Sequence, residues 1–177
     1  MGSVLGLDIS TSIVGVCIMG LDEEVREIDF IDLRKVNNFF EKADKVKAAL
    51  AKLFCKHKVS EVWIEDYAVR YSPGKSKAST ITKLASFNGI VSYIVFSEHD
   101  FEPKKVQVTS ARKNVGLKIP RGSNTKQLVL DFVKRKLPNH DWKRTRFDND
   151  QQYEFDKADA FVIALHGVKS ANNVREN

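Results

Sequence analysis

Residues 3–9 (Ser-Val-Leu-Gly-Leu-Asp-Ile) are apolar except for one acid, and the run predicts a buried β-strand. Ser10-Thr11-Ser12 reads as a turn, and residues 13–20 as a second apolar strand. Val25, Ile28 and Phe30 alternate with charged neighbours over 24–32, the pattern of a half-exposed third strand. Phe39, Ala43, Val46, Leu50 and Leu53 then recur at spacings of four and three, with lysines on the other face. That is an amphipathic helix, with Asn37 or Asn38 as its N-cap. Val62-Trp63-Ile64 predicts a fourth strand ending at Glu65-Asp66. Pro73-Gly74 marks a loop over 70–79, and a long helix follows from about Thr80 to Phe96.

Beyond Pro103 the pattern gives a short strand over 105–108 and a short helix capped by Thr109 or Ser110. A basic loop over 117–122 follows, then a helix from Ser123 or Asn124 to Leu137, stopped by Pro138. Residues 138–153 read as a long polar loop, and 155–168 as the last helix. Three meander strands followed by strands reached through helices predict an α/β fold with a mixed five-stranded sheet. The expected domain spans 1–170, with 171–177 as a polar tail. Tyr93, Phe87 and Phe96 are expected to pack in the core.

Four acids break this pattern. Asp8 interrupts an apolar strand, Glu65 ends another, and Asp156 and Asp159 lie among apolar residues of the last helix. The i, i+3 spacing puts the last two on one helix face. Buried carboxylates need a cation or a hydrogen-bond network. If the first and fourth strands are neighbours, Asp8 and Glu65 meet, and the last helix can bring its pair to them. Hard oxygen ligands of this kind suit Mg²⁺ or Mn²⁺, and two such ions support phosphodiester hydrolysis. Taken singly, Asp8 also reads as a turn acid and Asp159 as an exposed helix residue; the set of four is harder to explain so.

Charge sharpens the picture. The net charge of +6 hides a middle third, 67–147, at +12 between ends of −3 each. Nucleic acid is the commonest partner of such a block. Lys75, Lys77, Arg112, Lys113, Lys118, Arg121 and Lys126 are its candidate phosphate contacts. Trp142 and Arg144, with Lys143 and Arg146, put an aromatic and three cations on the 138–153 loop and make it a further candidate nucleic-acid contact. No uncharged apolar run exceeds Ile13–Leu21, far short of a membrane span. Cys17 and Cys55 are too few for a disulfide scaffold and read as buried thiols of a reducing compartment, so an intracellular, cytoplasmic location is expected. His57, His99 and His140 lack metal spacing and read as surface residues.

Several segments carry a resemblance. Gly6-Leu7-Asp8-Ile9-Ser10, with Gly15 downstream, resembles the opening strand of the RuvC-type Holliday-junction resolvases of the ribonuclease H-like superfamily. Trp63-Ile64-Glu65 resembles their central strand, and Asp156-Lys157-Ala158-Asp159-Ala160 their C-terminal acidic helix, with His166 where members often have histidine. Lys83 to Ile90, Pro103 to Gly116 and Gly122 to Lys126 are similar to the segments between. The resemblance implies a homodimer with two divalent ions per site that makes paired nicks in four-way DNA junctions. It makes Asp8, Glu65, Asp156 and Asp159 the metal-binding catalytic acids. Lys126, with Arg112 or Lys113, would contact phosphate near the cut bond. The long helix near 80–96 is the expected dimer interface. The 138–153 loop departs from the family as an insertion and is in keeping with a phage or viral member in an infected cell.

Other readings stand beside it. Asp8 to Ser12 also resembles the phosphate-binding turn of sugar kinases, which need two such domains. Another ribonuclease H-like nuclease, cutting RNA–DNA hybrids, and a non-catalytic nucleic-acid-binding module are the alternatives.

Overall fold

The computed structural model describes residues 2–66 and 78–175. Lys75, Lys77 and the predicted 70–79 loop up to residue 77 lie outside the described residues. Five strands, β1 (Ser3–Ile9), β2 (Ile13–Gly20), β3 (Val25–Asp32), β4 (Val59–Glu65) and β5 (Lys104–Val106), form one sheet in the order β3-β2-β1-β4-β5. The β1–β2 and β2–β3 pairs are antiparallel, and β1–β4 and β4–β5 are parallel. The predicted meander is present, and β1 and β4 are neighbours, the condition for Asp8 and Glu65 to meet.

Side chains alternate between sheet faces with period two. One face carries Leu5, Leu7, Ile9, Val14, Val16, Ile18, Val62 and Ile64. Against it pack α1 (Phe39–Lys56) and α2 (Ala78–His99), through Val46, Leu50, Phe87 and Val91. Asn38 caps α1 by accepting from the backbone of Phe40 and Glu41. The other face presents Val4, Cys17 and Met19 to α5 (Gln152–Arg175), against which α3 (Val108–Asn114) and α4 (Thr125–Lys136) pack from outside.

Several boundaries differ from the sequence pattern. β5 stops at Val106, and α3 starts at Val108 behind Gln107 rather than behind Thr109 or Ser110. Asn124 caps α4 as expected. The last helix is longer at both ends than its apolar stretch and runs past the expected domain boundary at residue 170. Polar contacts hold its final turns: Ser170 donates to the His166 carbonyl, and Asn172 donates to the Leu21 carbonyl. Cys17 is buried, but Cys55 is exposed, because α1 turns only the Val46–Leu50–Leu53 face inward. Phe87 is buried, whereas Tyr93 (67%) and Phe96 (56%) are exposed, because α2 meets the sheet along one face only.

Candidate active site

The two-residue period places Gly6 and Asp8 on the α5 face of β1, Gly15 on that face of β2, and Trp63 and Glu65 on that face of β4. Asp8 is in register with Gly15 on one side, and Glu65 follows the Leu7–Ile64 pair on the other. Glycine here lets the helix lie flush on the sheet. A Cβ on Gly15 would stand 2.0 Å from the Asp156 carbonyl oxygen, and one on Gly6 2.5 Å from that of Ala160. On the helix side, a Cβ on Gly167 would stand 2.5 Å from the Trp63 ring. The contact sets Asp156 and Asp159, one turn apart on α5, beside Asp8 and Glu65.

All four carboxyls are half-buried and feel one another. Burial, then repulsion from Asp159, Glu65 and Asp156, pushes Asp8 well above the ordinary carboxylate range. Glu65 is raised by burial and by Asp159, against the pull of Arg112. Burial lifts Asp156 to about 6, against the pull of Lys126. Burial also raises Asp159, opposed by Arg112, whose guanidinium donates to it at 3.1 Å. Asn88, buried on α2, donates to the Glu65 backbone carbonyl at 3.1 Å and fixes the end of β4.

Among the described residues, three cations flank the acids. Lys126 in the first turn of α4 acts on Asp8, Asp156 and Asp159. Arg112 on α3 touches Asp159, and Arg34, just past β3, acts on Asp156. Sequence reasoning missed Arg34; the available signal was a cation directly after a strand that neighbours β2. Arg112 and Lys113 line a cleft of about 550 Å³ with Thr109, Gly116, Lys118 and Thr125. Arg121 is exposed in the same α3–α4 connection.

Other candidates sit apart. His166 packs edge-on against Trp63 and meets Asn114 Nδ2 at 2.8 Å through Nδ1, about 10 Å along α5 from Asp159. Trp142 turns inward: its indole donates to the Leu137 carbonyl and its ring packs on the α4–α5 core. Arg144 is exposed and paired with Asp148.

Among the described residues, no three Asp, Glu, His or Cys side chains are already drawn in to the distance of one ion. The donor set nevertheless fits a hard cation. It is all carboxylate oxygen, its charges repel, and Asp156 Oδ2 is buried with no hydrogen-bond partner.

No protein-family model matches the sequence, and no curated protein is similar to it. Solved structures do match. The chain is similar to Thermus thermophilus RuvC in complex with Holliday junction substrate, with a TM-score of 0.71 at 14% identity over 98% of this chain and 96% of that one. It is similar to the yeast mitochondrial Holliday junction resolvase, with a TM-score of 0.61 at 14% identity over 99% and 81%. It is also similar to fowlpox virus resolvase in complex with Holliday junction DNA, with a TM-score of 0.56 at 15% identity over 96% and 98%. The chain therefore has the ribonuclease H-like fold of these proteins.

Proposed function

We propose, from a fold shared with Holliday-junction resolvases and four acids gathered on it, that this protein is a divalent-metal-dependent endonuclease resolving four-way DNA junctions. The observation that carries the reading is the convergence of Asp8, Glu65, Asp156 and Asp159 from two strands and one helix, beside Lys126 and Arg112. Asp8, Glu65, Asp156 and Asp159 would hold Mg²⁺ or Mn²⁺, two ions per site, which supply the Lewis acidity that phosphodiester hydrolysis needs.

The protein's own groups orient the strand. Lys126 and Arg112 offset the charge of the acids and of the incoming phosphate, so a polyanion can approach four carboxylates. The cleft beside Arg112, with Lys113 and Lys118, gives the neighbouring phosphates cationic partners. Arg121 is proposed to extend this track, Lys75 and Lys77 to be further phosphate contacts, and Arg144 to add a contact from the α4–α5 loop. Trp142 is proposed to support that loop from within.

Two symmetric nicks need two like sites, and a two-fold dimer supplies them. Thr82, Ser86, Gly89, Tyr93 and Phe96 fall at spacings of four, three, four and three and are all exposed, an unpaired seam along α2 that suits a second copy.

The test is incubation of labelled four-way, Y-shaped, linear duplex and RNA–DNA hybrid substrates with and without Mg²⁺. Wild type is expected to nick the four-way junction in symmetric pairs only with metal. Asp8→Asn is expected to bind it within severalfold but not cut. Cutting by Asp8→Asn at the wild-type rate, or a preference for the hybrid, would overturn the reading.

A further inference from the structure

The segment between α4 and α5 is anchored at its base and open at its tip. At the base, fully buried Glu154 accepts from the Lys143 backbone through Oε1 at 3.0 Å and pairs with Lys157 Nζ through Oε2 at 2.7 Å. Lys157 also meets His140 Nε2 at 3.1 Å and lies 5.4 Å over the Trp142 ring. Lys157 adjoins Asp156, so the anchor is part of the helix that carries two of the acids. Gln152, where α5 begins, is four residues or about 6 Å along the axis from Asp156.

Above the base stands a short hairpin. Arg144 and Asp150 form an antiparallel bridge. Thr145 N donates to the Asn149 carbonyl at 2.7 Å, and Asp148 N donates to the Thr145 carbonyl at 3.0 Å. Thr145 Oγ1 accepts from the backbone of Phe147 and Asn149. Asp148 takes the left-handed position, φ 61°. This is a three-residue connection closed by a left-handed third residue, a well-defined turn. It carries Arg146 and Phe147 at its tip.

Those two side chains face outward. Phe147 is 72% exposed, and the Arg146 guanidinium lies 4.6 Å over its ring. The other charges of the loop are matched: Lys143 with Asp141, Arg144 with Asp148, Asp150 with Lys134. Arg146 has no acid partner among the described residues. The tip is thus an aromatic face with one uncompensated, planar cation, on a turn already ordered.

We infer that the Arg146–Phe147 tip is a stacking site for an exposed base at the branch point of a DNA junction, with Arg146 gripping the adjoining phosphate. An aromatic ring takes any base on its π-face, and an arginine both stacks and pairs with phosphate. A branch point exposes the ends of base stacks that a continuous duplex keeps covered. The site discriminates by geometry and takes no part in hydrolysis. The inference rests on the junction-nuclease reading above.

The experiment measures binding of wild type, Phe147→Ala, Phe147→Trp and Arg146→Ala to a four-way junction and a linear duplex of the same sequence. A 2-aminopurine placed at the branch reports stacking, and cleavage is followed in parallel. Phe147→Ala is expected to lose about 10-fold in junction affinity. It should leave duplex affinity within about twofold and give no 2-aminopurine quenching, while its cutting rate at saturation stays near wild type. Phe147→Trp should bind and quench as wild type does. Junction binding by Phe147→Ala equal to wild type, or equal loss on both DNAs, overturns the inference while wild-type cutting leaves the nuclease reading intact. Wild type that neither prefers nor cuts junctions overturns both.

Discussion

Gly15→Ala probes the contact that sets the geometry of the acids. The new Cβ would stand 2.0 Å from the Asp156 carbonyl oxygen and 2.5 Å from its carbonyl carbon. Ordinary contact begins near 3.4 Å, so helix and strand must part by the difference, about 1.4 Å. Both neighbours are backbone, one in a helix and one in the middle of a sheet, so no side-chain rotation relieves the clash. Overpacking of this kind costs about 1–3 kcal/mol, and replacing a strand glycine returns about 0.5–1 kcal/mol. The net loss of about 1–2 kcal/mol corresponds to a fall in Tm of about 2–8 °C for a chain of this size. Activity should fall further than stability, since an ångström of misplacement at reacting groups costs on the order of 10²-fold. Thermal melting with single-turnover junction cleavage, both below the melting range, separates the two effects. A Cβ on Gly89 meets nothing within 4 Å in the single chain, so Gly89→Ala should raise the stability of the monomer by about 0.5–1 kcal/mol; because it lies in the proposed dimer seam, it is compared by Tm alone. Gly15→Ala with wild-type Tm and wild-type cutting would show that α5 does not rest on β2 as described.

Three further outcomes are expected. Because burial raises Asp156 from 3.8 to about 6, the native state holds its proton more tightly than the unfolded chain, and stability falls as pH rises across that window. Asp156→Asn should therefore be more stable than wild type at pH 7.5 in EDTA, by about 1–2 kcal/mol once the full ~3 kcal/mol is discounted for partial exposure, and no more stable near pH 4. Urea titrations at both pH values check this, and an equal gain at both would refute it. Junction affinity should fall steeply with salt, with a log–log slope of about −0.9 per phosphate neutralised, and Lys126→Ala or Lys113→Ala should each flatten it by about one unit. Tyr93→Glu with Phe96→Glu should convert a dimer to monomer in light scattering without lowering the Tm of the isolated chain.

The meander and the unusual positions of the four acids were legible for a local reason. β1 and β2 are continuous apolar runs and α1 repeats one period cleanly, and Asp8 is conspicuous as a charge inside a strand otherwise buried on both faces. What escaped depends on contacts far away in sequence. Whether Tyr93 and Phe96 are core or surface depends on how much of α2 the sheet can cover, which no helical period states. Glu154 lies in a polar stretch of the sequence, and its burial follows from Lys157 and the Lys143 backbone reaching it together. Trp142 and Phe147 are both aromatics in a polar loop, and only the fold of the hairpin base decides which turns in and which turns out. Gly15 was noticeable as a glycine in an apolar strand, but the reason for it is the backbone of Asp156, 141 residues away.

The acids enter the sheet from opposite ends of the sequence, and this governs when the site can exist during synthesis. A ribosome that has reached Lys136 has made the whole sheet, with Asp8 and Glu65 at its strand ends, but one face of β1 and β2 is still bare. α5 covers that face and delivers Asp156 and Asp159 in the same step. No nascent or truncated chain lacking α5 carries more than half of the acid set, so an unfinished molecule cannot assemble it. The cost is a slow, long-range closure, with apolar strands open to solvent until the last helix docks. Aggregation of truncated chains is the failure this architecture invites.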